Sequence, residues 1–247
     1  MMSGRLLFVF ALILMLFHLP AQAESISSFD KDPHRNALGF FDLHVCNWPD
    51  RPPFFKALFS TTHIGEIENM EIYLPDGKLL GELQLWDYMK IKRKGKPEKR
   101  VYLNDIDVPE GAGDGWYDIK VTTKEGKTYH ARDYVVMTLM PRASGMSPPD
   151  GAENIPMPKE LSWAPVPGAA YYQVFVREAF EDKRIVYSKL LKEPRYQFKP
   201  GKLKPGGDYV WSVHARDINE HILLGDFNQG SQSYKAEFSV AESEAGQ

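Results

Sequence analysis

The chain has 247 residues, 43% of them hydrophobic and 26% charged, and its 30 Lys and Arg against 33 Asp and Glu leave a formal net charge of -3. That mild balance argues neither for a nucleic-acid binder nor for an acidic solvating chain, and the length suffices for two ordinary domains with their own cores. The single cysteine, Cys46, excludes an intrachain disulfide, so stability must come from packing.

The N-terminus reads Met1-Met2-Ser3-Gly4-Arg5, then an apolar run from Leu6 to Phe17, then Leu19-Pro20 and Ala21-Gln22-Ala23. A basic start, a short apolar stretch and an A-x-A site form the signal-peptide pattern, with cleavage expected after Ala23. The apolar run falls short of the roughly 20 residues a spanning helix needs, so residues 1–23 are read as a signal peptide rather than a retained anchor. No later segment is apolar enough to span, and Cys46 is too far from the cleavage site to be the lipid-bearing first residue of a lipoprotein. The chain also lacks an Asn-x-Ser/Thr sequon. With no disulfide either, the expected location is a bacterial periplasm or the cell exterior, periplasmic or secreted.

After a short N-terminal segment, 24–36, nearly every periodic stretch alternates with period two, which predicts an all-β chain. Leu38 to Cys46 and Phe54 to Thr61 read as strands split by Trp48-Pro49-Asp50-Arg51-Pro52-Pro53. Glu71 to Leu74, the turn Pro75-Asp76-Gly77-Lys78 and Leu79-Leu80 read as a hairpin, because Pro presets φ and Gly accepts a positive φ in the bend. Tyr117, Ile119 and Val121 alternate with Asp118, Lys120 and Thr122, and after Lys124-Glu125-Gly126-Lys127 the chain returns over Thr128 to Met137 as a second hairpin. Short strands at this spacing predict a loosely immunoglobulin-like sandwich over 37–140. Between Pro141 and Asn154, prolines, glycines and serines replace the alternation, so 141–154 is read as a linker. A second sandwich is expected over 155–240, with a frayed tail at 241–247. The fold class is thus two antiparallel β-sandwich domains.

The second of these carries a specific pattern. Pro156 and Pro158 precede Leu161-Ser162-Trp163, and Pro165 to Ala169 turn into Tyr171-Tyr172-Gln173-Val174-Phe175-Val176. Further on, Leu203-Lys204-Pro205-Gly206-Gly207-Asp208-Tyr209 leads into Val210 to Ala215 in strict alternation. Over about 153–240 these residues resemble a fibronectin type III domain, the latter run matching the family's L-x-P-G-x-x-Y. The resemblance implies a tyrosine corner, with the Tyr209 ring buried and its hydroxyl bonded back to the turn. Trp211 departs from it, being bulkier than the usual aliphatic residue, and implies a rearranged core or a wider gap between sheets. No Arg-Gly-Asp is present, so integrin-type adhesion is not implied.

Candidates for chemistry are sparse. His34, His44, His63, His130, His214 and His221 form no metal-ligand spacing, and neither a nucleophile elbow nor a P-loop occurs. His44 and Cys46 stand two apart on an expected strand and so share a face, which permits a thiol–imidazole pair or, more simply, inert packing; a lone thiol can also pair between chains. Asp105, Asp107, Glu110, Asp114 and Asp118 span a glycine-rich turn, Gly111 to Gly115, read as a solvated acidic loop with a calcium site as its rival. Trp48, Trp86 and Trp116 would make a sugar-stacking platform if exposed together, and otherwise belong to the core.

The strongest charge feature is Lys90, Lys92, Arg93, Lys94, Lys96, Lys99 and Arg100 against Glu98. Such a run suits an anionic glycan, a lipopolysaccharide phosphate or nucleic acid through salt-sensitive electrostatics, or is a lysine-guarded edge or hairpin loop that prevents sheet-to-sheet aggregation. Lys92, Arg93, Lys94 and Lys96 are the candidate binding residues. The sequence therefore predicts an exported, non-catalytic binding or structural module of the bacterial envelope, with an envelope protein or anionic glycan as partner. No nucleic acid, cofactor or metal is expected, nor a transmembrane span after signal cleavage, and the oligomeric state stays open. The rival is a carbohydrate-processing or peptidase-related enzyme, or its accessory domain, using carboxylates of the first sandwich.

Overall fold

The computed structural model describes residues 26–27, 32–217 and 228–242, so the signal-peptide reading of 1–23, His221 and all but the start of the tail lie outside the described residues. Among the described residues there is no helix, and none that could cross a membrane. The all-β expectation holds.

The seventeen strands among the described residues follow the predicted alternation closely in the first half. Strand β1 is Ile26–Ser27, β2 Gly39–Asn47, β3 Phe54–Thr61, β4 Ile67–Tyr73, β5 Leu79–Glu82, β6 Tyr88–Ile91, β7 Lys99–Asp107, β8 Gly115–Thr123 and β9 Thr128–Val135. Both predicted hairpins form, β4–β5 around Gly77 and β8–β9 around Gly126. One sheet runs β1-β9-β8-β4-β5, and β2-β3-β7-β6 forms the facing layer. Odd-numbered β8 residues Tyr117, Ile119 and Val121 point inward, where they join Leu43, Val45, Phe55, Ala57 and Phe59 in the first core.

The second half comprises β10 Ala152–Ile155, β11 Glu160–Ser162, β12 Tyr171–Glu178, β13 Arg184–Tyr187, β14 Arg195–Gln197, β15 Asp208–Arg216, β16 Gln229–Gln232 and β17 Ala236–Val240. Its core gathers Leu161, Trp163, Val174, Val176, Tyr209, Trp211, Val213 and Phe238. The expected corner is present: the backbone N–H of Lys204 donates to the Tyr209 hydroxyl at 2.8 Å. Gly207 permits it, since a Cβ there would sit 2.5 Å from the Tyr209 hydroxyl oxygen. Trp211 is accommodated by tilting against Trp163, with ring centres 6.3 Å apart, and by donating its indole N–H to the Pro148 carbonyl at 3.3 Å.

Two features depart from simple expectation. Pairing is mostly antiparallel, yet β1–β9, β10–β17 and β16–β2 are parallel. The last of these matters most. β15 carries β17 along its first half and β16 along its second, and β16 also lies against the end of β2, Gly230 opposite Cys46. One ten-stranded sheet therefore runs through both halves. Nor is 141–154 a bare tether. Ala143 is buried, the Pro141 carbonyl accepts from Ser231 Oγ at 2.8 Å, and Ser147 exchanges backbone bonds with Ser162. Proline and glycine there signalled irregular backbone, and tertiary packing, absent from the local text, supplies its hydrogen bonds.

Candidate functional site

The basic run folds as the β6–β7 hairpin at the outer edge of the ten-stranded sheet. Its tip closes where the Lys96 N–H donates to the Arg93 carbonyl at 3.1 Å, and Gly95 takes the positive φ of +71° that the turn needs. Within the turn the four candidate cations separate. Arg93 and Lys96 line a cleft of about 340 Å³ together with Lys99, Leu58, Ser60, Thr62, Ile91, Pro97 and Val101. Lys92 instead pairs with Glu98 at 3.5 Å, and Lys94 stands exposed outside the cleft. Arg93, Lys94, Lys96 and Lys99 have no ion pair among the described residues. The Lys99 ammonium is pulled below the usual lysine range by burial first, then by the like charges of Arg35 and Arg93. Positive charge is thus concentrated here and left short of carboxylates.

Sequence reasoning missed the cleft floor. Residues 54–62 offer Phe55, Ala57 and Phe59 to the core, but Leu58 on the opposite register is apolar too, which was the available signal that the outer sheet face is not uniformly wet.

The same outer face continues past Leu58 into a second cleft of about 480 Å³ where the two halves meet. Here Asp42 and His44 of β2 form a buried couple, Oδ2 to Nδ1 2.9 Å. From the other side Arg216 reaches Gln173 Oε1 at 2.9 Å and His214 Nδ1 at 3.0 Å. Phe175 and Tyr187 close the rim edge to face, with centres 5.2 Å apart. Burial, then the Arg216 guanidinium, His44 and Lys56, hold the His214 imidazole well below its ordinary 6.5. Its depressed folded value means that the unfolded chain takes up a proton here before the native one does. Stability should therefore fall as pH drops below about 6.5, by up to about 1.4 kcal/mol per pH unit. His214→Asn, which keeps an acceptor near the Nδ1 position, should flatten this slope in urea titrations between pH 7.5 and 5. An unchanged slope would assign the acid sensitivity to another group.

The remaining candidates disperse. Cys46 is buried on β2, so its thiol is not offered to a second chain, and the His44 Nδ1 beside it turns to Asp42. Asp105 is occupied by Arg51 and Lys56, Asp114 accepts from the Met137 N–H, and Asp118 faces Arg132. Among the described residues no group of three or more His, Cys, Asp or Glu could hold a metal ion. Trp48 packs edge-on against Phe54, Trp116 against Tyr134, and Trp86 stands 77% exposed between β5 and β6, with no ring contact joining any two of the three.

No protein-family model and no curated protein matches the chain. Solved structures similar to it include the FN1-FN3 domains of chicken CNTN1, at 13% identity and a TM-score of 0.30, with 81% of this chain and 65% of that one covered. Another is Tp47, the 47-kilodalton lipoprotein of Treponema pallidum, at 11% identity and a TM-score of 0.35, covering 79% and 50%. A third is SGBP-B of the Bacteroides ovatus mixed-linkage glucan utilization locus in complex with a mixed-linkage heptasaccharide, at 13% identity and a TM-score of 0.23, covering 80% and 43%. The chain therefore spans 43–65% of the length of these three structures.

Proposed function

We propose that the protein is an exported, non-catalytic binding module of the bacterial envelope whose β6–β7 hairpin holds an anionic glycan. The carrying observation is the cation cluster Arg93, Lys94, Lys96 and Lys99, without an ion pair among the described residues, on the rigid edge of a sheet. Unneutralised charge of one sign at such an edge destabilises the free protein slightly and is relieved by a polyanion, whose attraction is screened by salt. Export rests on the signal-peptide pattern of residues 1–23. Two units, a loosely immunoglobulin-like one at 37–140 and a fibronectin type III-like one at 155–240, are part of this reading, the second supported by the Tyr209 corner. The enzyme reading loses support because three carboxylates of the acidic loop are held by separate partners, Asp105 by Arg51 and Lys56, Asp114 by a backbone N–H and Asp118 by Arg132.

The test is retention of residues 24–247 on a sulfated-glycan matrix, beside the variant in which Lys92, Arg93, Lys94 and Lys96 are all changed to Ser. The parent should be retained at low salt and released as ionic strength rises, and the folded variant should emerge with the void volume. Equal retention of both would place the glycan-binding surface elsewhere.

A further inference from the structure

The cleft beside the hairpin is more than a patch of charge. Cross-strand partners share a face of a sheet, so Leu58 and Leu103, then Ser60, Val101 and Met89, stand in adjacent rows on the outer face of β3, β7 and β6. These are mostly apolar side chains on a face that no second layer of the first half covers, and Met89 is 53% exposed. The floor under Arg93, Lys96 and Lys99 is thus hydrocarbon: Leu58, Ile91 and Val101. A solvated glycan gains nothing from such a floor.

A second observation points into the same cleft. Ser60 is 5% exposed and lines it, and its Oγ has no hydrogen-bond partner. A buried hydroxyl without a partner is costly, and buried polar groups are rarely left so. The Oγ is closed to solvent as it stands, so a turn of the Ser60 side chain toward an acceptor between it and the cations would satisfy it. The cleft volume of about 340 Å³ lies within the span of small-molecule sites, roughly 300–1,000 Å³.

Resting on the reading of this hairpin as an anion-binding surface, we infer that the cleft takes a monomeric anionic amphiphile. Its phosphate, sulfate or carboxylate group sits among Arg93, Lys96 and Lys99 and accepts from Ser60 Oγ, and a short hydrocarbon segment lies on Leu58, Ile91 and Val101. Guanidinium and ammonium donors give charge-assisted bonds to such an oxyanion, and the apolar floor distinguishes an alkyl anion from the bare ion.

The probes are inorganic phosphate and butyl, hexyl and octyl phosphate, titrated calorimetrically into residues 24–247, with octyl glucoside as the uncharged control. Affinity should rise by about fourfold per methylene until the floor is covered, and both inorganic phosphate and octyl glucoside should bind far more weakly. Ser60→Ala should cost about tenfold in octyl phosphate affinity without lowering thermal stability. Ile91→Gln should weaken the chain-length dependence and leave sulfated-glycan retention intact. Alkyl phosphates binding no better than inorganic phosphate would overturn this inference, even with glycan retention lost in the hairpin variant. Binding to anionic vesicles without binding to monomeric octyl phosphate would overturn it as well, assigning the surface to a membrane. Octyl phosphate binding together with unaltered glycan retention in that variant would instead sink the glycan reading alone.

Discussion

Trp211→Ala is expected to lower the unfolding free energy by about 3–5 kcal/mol, read as a shift of the urea midpoint at constant slope. Trp211 lies at the centre of the second core, 1% exposed, between Trp163 and the backbone of the 141–154 segment. Truncation removes the largest fully buried side chain and leaves a void that the flanking β-sheet can close only in part. It also frees the Pro148 carbonyl, whose indole partner is gone. Trp211→Phe separates the two contributions: it retains most of the apolar volume and loses the bond, so its cost should be clearly smaller. A cost below about 1 kcal/mol for the alanine variant would mean that the core repacks around residue 211.

Asp133→Ala should be comparably severe, at about 3–5 kcal/mol, for an electrostatic rather than a packing reason. Asp133, on β9, is 1% exposed. Its Oδ2 accepts from the Leu43 N–H of β2 at 2.8 Å, and its Oδ1 faces His34 Nε2 at 3.0 Å. The carboxylate therefore ties β9 of one sheet to β2 of the other, at a point on β2 that β16 does not reach. Removing it strands a buried backbone donor and takes one carboxylate from the His34 ring, whose Nδ1 faces Asp32 at 2.9 Å. Asp133→Asn keeps an acceptor for Leu43 and should cost less than the alanine variant. If both variants cost the same, the charge rather than the Leu43 bond carries the effect; if neither costs more than about 1 kcal/mol, the clamp is dispensable.

These two residues differ in how far the sequence exposed them. Trp211 stood out as an anomaly in an otherwise regular strand, and its neighbours in alternation placed it inward. Asp133 gave no signal at all, because an aspartate in a polar-looking strand, Thr128 to Val135, reads as solvent-facing until another sheet is laid against it. The same division runs through the candidate site. Arg93 and Lys96 were legible as charge in a turn, whereas Ser60 and Val101, on strands brought in from either side, were not.

The sequence by itself determined what depends on neighbours a few residues apart: the period-two strands, the Gly77 and Gly126 hairpins, the corner built on Gly207 and Tyr209, and the basic run from Lys90 to Arg100. Alternation and turn chemistry are local, so they are written locally. Only the tertiary structure decided that β16 would pair with β2 and draw both halves into one sheet, and that Leu58, Ile91 and Val101 would lie beneath the cations. Parallel pairing between distant segments rests on backbone groups that every residue carries, and on faces that become neighbours only after folding. No spacing within the chain encodes either one.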